Sequence, residues 1–162
     1  MTLHPALPSR VDWPRLRADY GSAGLLLSLT LPEAARRFRG RAAYLAAPIT
    51  WSAVFTGIAQ DRVPQPGERR DAARWVLECS RHGITAVSPL LLMSAALLEE
   101  HRGGVAGLDP VFWANWREPL LREARLLLVP PVEGWDRDRA IWADAREALD
   151  HNIHVILLQE GA

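Results

Sequence analysis

The sequence predicts an α/β fold, a three-layer α/β/α arrangement around an open parallel sheet, Rossmann-like or flavodoxin-like in topology. Three observations predict it. Short apolar runs recur at residues 42–47 (AAYLAA), 84–87, 126–129 and 153–158 (IHVILL). Proline follows the first three runs closely, at Pro48, Pro89 and Pro130. Helix-patterned stretches separate the runs. Apolar runs without polar alternation suit strands buried on both faces. Strands alternating with helices, joined by right-handed crossovers, build an open parallel sheet covered on both sides.

Along the chain, residues 1–10 are proline-rich, and Asp12 is placed to cap a short helix over 13–20, with Pro14 in its first turn. Residues 23–31 are apolar and fit a helix or a strand equally. Residues 32–39 (PEAARRFR) read as a short basic helix ending at Gly40. Residues 1–41 are expected to form a helical leader, and residues 42–162 the α/β domain. After the first strand, residues 48–67 form a long irregular stretch holding three prolines. Loops of that length are usually functional or disordered. A helix over 68–81 turns Ala72, Trp75, Val76 and Cys79 inward, with Gly83 closing it. An apolar helix follows the second strand over 90–101. Asp109-Pro110 opens another, with Pro119 as a kink.

The last helix, after Gly134-Trp135, carries the main functional signal. Asp136 or Asp138 is placed to cap its first turn. At ~100° per residue, Ala140, Ile141, Ala145 and Ala148 share one apolar stripe. Arg139, Arg146, Glu147 and Asp150 lie away from it. Asp144 falls inside the stripe. A carboxylate on an inward face is costly unless it is paired or opens onto a cavity. Either an ion pair with one of the many arginines or a functional site accounts for it. Ligands of open parallel sheets bind outside the carboxyl ends of the strands. Those ends here are Ala47-Pro48-Ile49, Ser88-Pro89 and Pro130-Pro131. The first turns of the Asp144 helix face the same crevice.

Composition narrows the function classes. The 162 residues suit one domain, and 49% are apolar, enough for a substantial core. Arginine plus lysine and the acids both number 19, so no overall field attracts nucleic acid or an anionic membrane, although local basic patches stay open. No apolar run is long enough to span a bilayer, and a cytoplasmic location is expected. The single cysteine, Cys79, excludes an internal disulfide and a cysteine metal cluster. His151 and His154 are spaced as a metal pair but lack a third ligand, so no metal is expected. His82 reads as a helix-end cation, and Arg69, Arg70 and Asp71 as a solvated helix start. No Walker-type loop and no GxGxxG occurs, so neither NTP hydrolysis nor a dinucleotide cofactor is expected. Of the seven tryptophans, Trp51, Trp113, Trp116 and Trp135 are placed to wall a pocket or to fill the core.

AYLAAPI, GITAVSP and FWANW…LLREARLLLVPPVEGWDRDRAIWADAREA, followed by IHVILL, together resemble the nucleoside 2-deoxyribosyltransferase superfamily. The likeness is greatest to a bacterial and phage branch with a Tyr-Leu-Ala-x-Pro strand end, a Ser-Pro, and a Gly-Trp loop before a helix bearing an acid. It covers about residues 42–158.

The resemblance implies cleavage of an N-glycosidic bond between a base and a (deoxy)ribose. A carboxylate attacks the anomeric carbon and forms a glycosyl-enzyme, which another base or water resolves. In the transferases an Asp-x-Gly motif precedes the nucleophilic Glu, six residues after that Asp. Asp138 and Asp144 match those two positions. Ala47, Pro48, Ile49, Ser88, Trp135 and Asp138 are then expected to line the pocket. Members of the superfamily tend to oligomerise and complete each other's sites, so a homodimer or larger is implied.

The chain departs from the pattern at Asp144, an Asp for a Glu, and at Ala140, where the motif has Gly. Arg117 and Arg125 stand where the branch carries Asp. Arg117 is placed to pair with Asp144, to bind a phosphate, or to lie on the surface. The expected function is a nucleoside or nucleotide N-glycosidase or deoxyribosyltransferase. The alternative is a non-catalytic member that binds a nucleotide-like ligand or a protein partner. An open cleft reaching Asp144 with Arg117 turned away points to the enzyme. A closed Asp144–Arg117 pair points to the alternative.

Overall fold

A computed structural model describes residues 10–48, 66–101 and 110–160. Its elements follow in chain order. They are α1 (Trp13–Tyr20), β1 (Leu26–Thr30), α2 (Leu31–Phe38), β2 (Ala42–Leu45), α3 (Pro66–Arg81) and β3 (Thr85–Val87). Then come α4 (Pro89–His101), α5 (Pro110–Glu123), β4 (Leu126–Val129), α6 (Arg139–Asp150) and β5 (His154–Gln159). The sheet is five-stranded and parallel in every pairing, in the order β1-β5-β4-β2-β3. The three-layer α/β/α reading is therefore correct.

The leader needs correction. Residues 26–30 are a strand, not part of a helical segment standing apart. β1 pairs with β5 from Leu26↔Val155 to Thr30↔Gln159. The apolar run at 23–31 has no period that separates helix from strand. The decision falls to β5, which without β1 would offer its ladder edge to water. From β2 onward the strands follow the flavodoxin-like order 2-1-3-4. The fifth place is filled by a strand that precedes them in the chain, so the topology is a permuted one.

Alternation along each strand sorts the core into two layers. Tyr44, Leu127, Val129, Val155 and Leu157 point to one face, where α1, α5 and α6 pack through Trp13, Leu16, Leu121, Ile141, Ala145 and Leu149. Ala43, Leu45, Leu126, Leu128, Ile156 and Leu158 point to the other, beneath α2 and α3. Both faces are covered, which is why the strands lack polar alternation. α4 packs on α3 and, with Ala47, Ala72, Leu90 and Met93, forms a third small cluster near the carboxyl end of β2. Among the described residues no helix is long and apolar enough to cross a membrane.

Candidate functional site

The chain leaves β2 first for β3 on one side and later for β4 on the other. Such a reversal splays the two following connections and opens a crevice between the strand ends. A cleft occupies that place, with a volume of about 450 Å³ counting its open mouth. Tyr44 to Ala47 form its floor at the end of β2. Pro89, Leu90 and Met93 of α4 and Trp116 of α5 form an apolar wall. Arg117 of α5 and Asp138, Ala140, Ile141 and Asp144 of the α6 segment close the polar side.

The polar side is built by the loop and helix after β4. Gly134, at φ +86°, makes the left-handed turn that brings the chain back over the sheet. Asp138 is the N-cap of α6, and its Oδ1 accepts hydrogen bonds from the amides of Ala140 (2.8 Å) and Ile141 (3.0 Å). The cap sets the helix phase. With that phase Ile141, Ala145 and Ala148 face the sheet, and Asp144 goes with them, 7% exposed.

Tyr44 and Arg117 both meet the Asp144 carboxylate. The Tyr44 hydroxyl donates to Oδ2 at 2.7 Å. The Arg117 guanidinium lies 3.1 Å from Oδ1. These contacts offset the cost of withdrawing the carboxylate from water. The same triad shifts its other members. Burial, reinforced by the adjacent Asp144 charge, holds the Tyr44 hydroxyl well above the usual tyrosine range. Burial works against the Arg117 cation, but Asp144, Tyr44 and Glu147 outweigh it, so its pKa lies above the ordinary arginine value. Tyr44 is thus a neutral donor and Arg117 a permanent cation. Ring hydroxyl, carboxylate and guanidinium form a fixed row on the cleft side of α6.

The structure brings four of the expected residues to this cleft: Ala47, Arg117, Asp138 and Asp144. It places others elsewhere. Trp135 does not line the cleft. Its ring packs edge-on against Trp13, 5.2 Å between centroids, and joins the core beneath α1. Trp13 Nε1 also donates to the Asp136 carbonyl at 3.0 Å, so this indole pair clamps the loop before α6. Ser88 is buried and its Oγ accepts from the Leu91 amide at 3.4 Å, capping α4 instead of facing a ligand. Pro48 is half-buried just beyond the lining, which ends at Ala47. Ile49 and Trp51 lie outside the described residues, as does the Trp113 side chain. Trp116 does take the wall position open to it.

Tyr44 is a site residue that helical and strand patterning do not single out. Its signal was present, since it carries the lone hydroxyl in AAYLAA, and a phenol in a strand buried on both faces must find a partner. Among the described residues no group of three His, Cys, Asp or Glu is placed to hold a metal ion.

Residues 41–160 match the family described as a domain of unknown function (DUF1937). The chain belongs to the DUF1937 family. The family match begins one residue before β2 and ends one residue after β5, so it contains every described residue of the cleft. It leaves α1, β1 and α2 outside, although β1 completes the sheet. Comparison with curated proteins and with solved structures gives no match.

Proposed function

We propose that this DUF1937 protein cleaves the N-glycosidic bond of a nucleoside or nucleotide, with Asp144 as nucleophile. The observation that carries the reading is the placement of Asp144. It is an inward-facing carboxylate, held by Tyr44 and Arg117, on the wall of a cleft at the carboxyl ends of the strands. A nucleophilic carboxylate must be oriented to a fraction of an ångström, and two directional contacts from different elements do that. The site's charge also suits the chemistry. Asp144 and Asp138 both border the cleft, and carboxylate charge there favours an oxocarbenium-like transition state. The likeness of the AYLAAPI, GITAVSP and GWDRDRAIWADAREA segments to the nucleoside 2-deoxyribosyltransferase superfamily points the same way.

In this reaction an Asp144 oxygen bonds to C1′ while the C1′–N bond breaks. Its electron pair leaves with the base, which takes up a proton. Water then attacks C1′, the ester bond breaks and the carboxylate is regenerated. The sum is nucleoside plus water giving sugar plus base; a second base in place of water makes the protein a transferase. A homodimer or larger in the cytoplasm is part of the same proposal.

One observation favours a second reading. Arg117 is paired with Asp144, as expected of a protein that binds a nucleotide-like ligand without turning it over. The cleft nevertheless reaches Asp144, which is half of the arrangement expected of the enzyme; the other half, an Arg117 turned away, is not met. Incubation with ribo- and deoxyribonucleosides and their 5′-monophosphates, with and without free base, separates the two. Chromatography of released base is expected to show turnover in the native protein and none in Asp144→Asn. Ligand binding with no release on any substrate supports the second reading and removes the first.

A further inference from the structure

We infer that Arg117 reads the 2′-hydroxyl of the sugar, so that the substrate is a riboside and not a 2′-deoxyriboside. The inference rests on the N-glycosidic reading and adds the substrate class to it. Its basis is the position of Arg117 relative to the attacking atom. In a β-nucleoside the base stands on the upper face of the furanose. A carboxylate that displaces it approaches C1′ from the lower face. The ribose 2′-hydroxyl lies on that same lower face, one carbon away. A sugar posed for attack by Asp144 therefore brings its 2′-oxygen against whatever flanks the carboxylate.

On the Oδ1 side that neighbour is Arg117, with Nη2 at 3.1 Å. The side chain is 15% exposed and forms part of the cleft wall. Asp144 is its one ion-pair partner among the described residues. A guanidinium has more N–H donors than a single oxygen uses, in a rigid fork. Donors therefore remain for a second oxygen beside Oδ1. The 2′-hydroxyl fits both neighbours, accepting from Arg117 and donating to the carboxylate oxygen that does not attack. Hydrogen bonds to this hydroxyl strengthen as the transition state forms in carboxylate-dependent glycosidases.

A 2′-deoxyriboside presents a methylene there. It covers a buried ion pair without satisfying it, and a site built to bond a hydroxyl rejects the analogue that lacks it by large factors. Bond strength opposes this preference, since deoxyribosides cleave more readily in water. A preference for ribosides must therefore come from the protein.

The test compares one base on three sugars, riboside, 2′-deoxyriboside and arabinoside, the last carrying its 2′-hydroxyl on the upper face. For the native protein, kcat/KM for the riboside is expected to exceed both others by about 100-fold or more. Arg117→Gln and Arg117→Lys are compared with it, each checked for a native melting transition. The expected result is that Gln narrows the ribose preference at least tenfold, while Lys keeps part of it. Equal or better cleavage of the deoxyriboside by the native protein overturns the inference and leaves the N-glycosidic reading standing. A ribose preference unchanged in folded Arg117→Gln overturns Arg117 as its reader. If both variants fail to fold, the native riboside-to-arabinoside ratio decides, and a ratio near one overturns the inference. Absence of base release from all three sugars removes the N-glycosidic reading and this inference with it.

Discussion

Replacing Arg117 by Met tests the arrangement on which the site depends. Met keeps most of the side-chain stem packed on α5 and removes the charge. Asp144 then loses the Arg117 cation and keeps the Tyr44 hydroxyl, in a position where its side chain is 10% exposed. Breaking a fully buried pair from one side costs about 3–5 kcal/mol. This pair borders a cleft, with the Arg117 side chain 15% exposed, so water recovers part of the loss and ~2–3 kcal/mol is expected. For a chain of this size each kcal/mol lowers Tm by ~2–4 °C, which gives a fall of roughly 4–12 °C.

Asp144→Asn should cost a similar amount, because it leaves Arg117 as the uncompensated charge. The double variant loses both charges together and should be little worse than the poorer single one. Urea unfolding followed by tryptophan fluorescence yields the four free energies, and their coupling should be about 1–3 kcal/mol. Additive effects, with coupling below ~0.5 kcal/mol, would refute the claim that the two side chains act as one unit.

Three further outcomes follow from single contacts. Asp138→Ala removes the cap from α6 and should cost about 1 kcal/mol in urea unfolding, while Asp138→Asn, which keeps an acceptor oxygen, should cost clearly less. Trp13→Phe keeps the ring against Trp135 but loses the bond to the Asp136 carbonyl. It should cost about 1 kcal/mol and speed amide exchange at residues 134–138 more than in β4. Cys79 is fully buried, and burial pushes its thiol from 9.0 up to about 11. Between those values the unfolded chain has lost the proton that the folded chain keeps. Stability should therefore fall as pH rises from about 9 to about 11, and Cys79→Ala should flatten that part of the curve.

The features legible in the amino-acid order are local. Short apolar runs, the first three stopped by proline, marked β2, β3, β4 and β5, because strands covered on both faces need no polar positions. The wheel of α6 turned Asp144 inward, and the Asp138 cap fixed where that wheel begins. Those signals lie within a few residues of one another, at the range over which backbone periodicity and capping act.

The remaining features depend on distant partners. The apolar run before Thr30 became a strand because the edge of β5, some 130 residues later, had ladder groups to satisfy. Trp135 went to the core because Trp13 reached it from the far end of the chain. Tyr44 and Arg117 took the two oxygens of Asp144 from a strand and a helix 100 and 27 residues away. No period or spacing encodes such meetings. They are settled when the sheet brings its strand ends together and every buried polar atom must find a partner there.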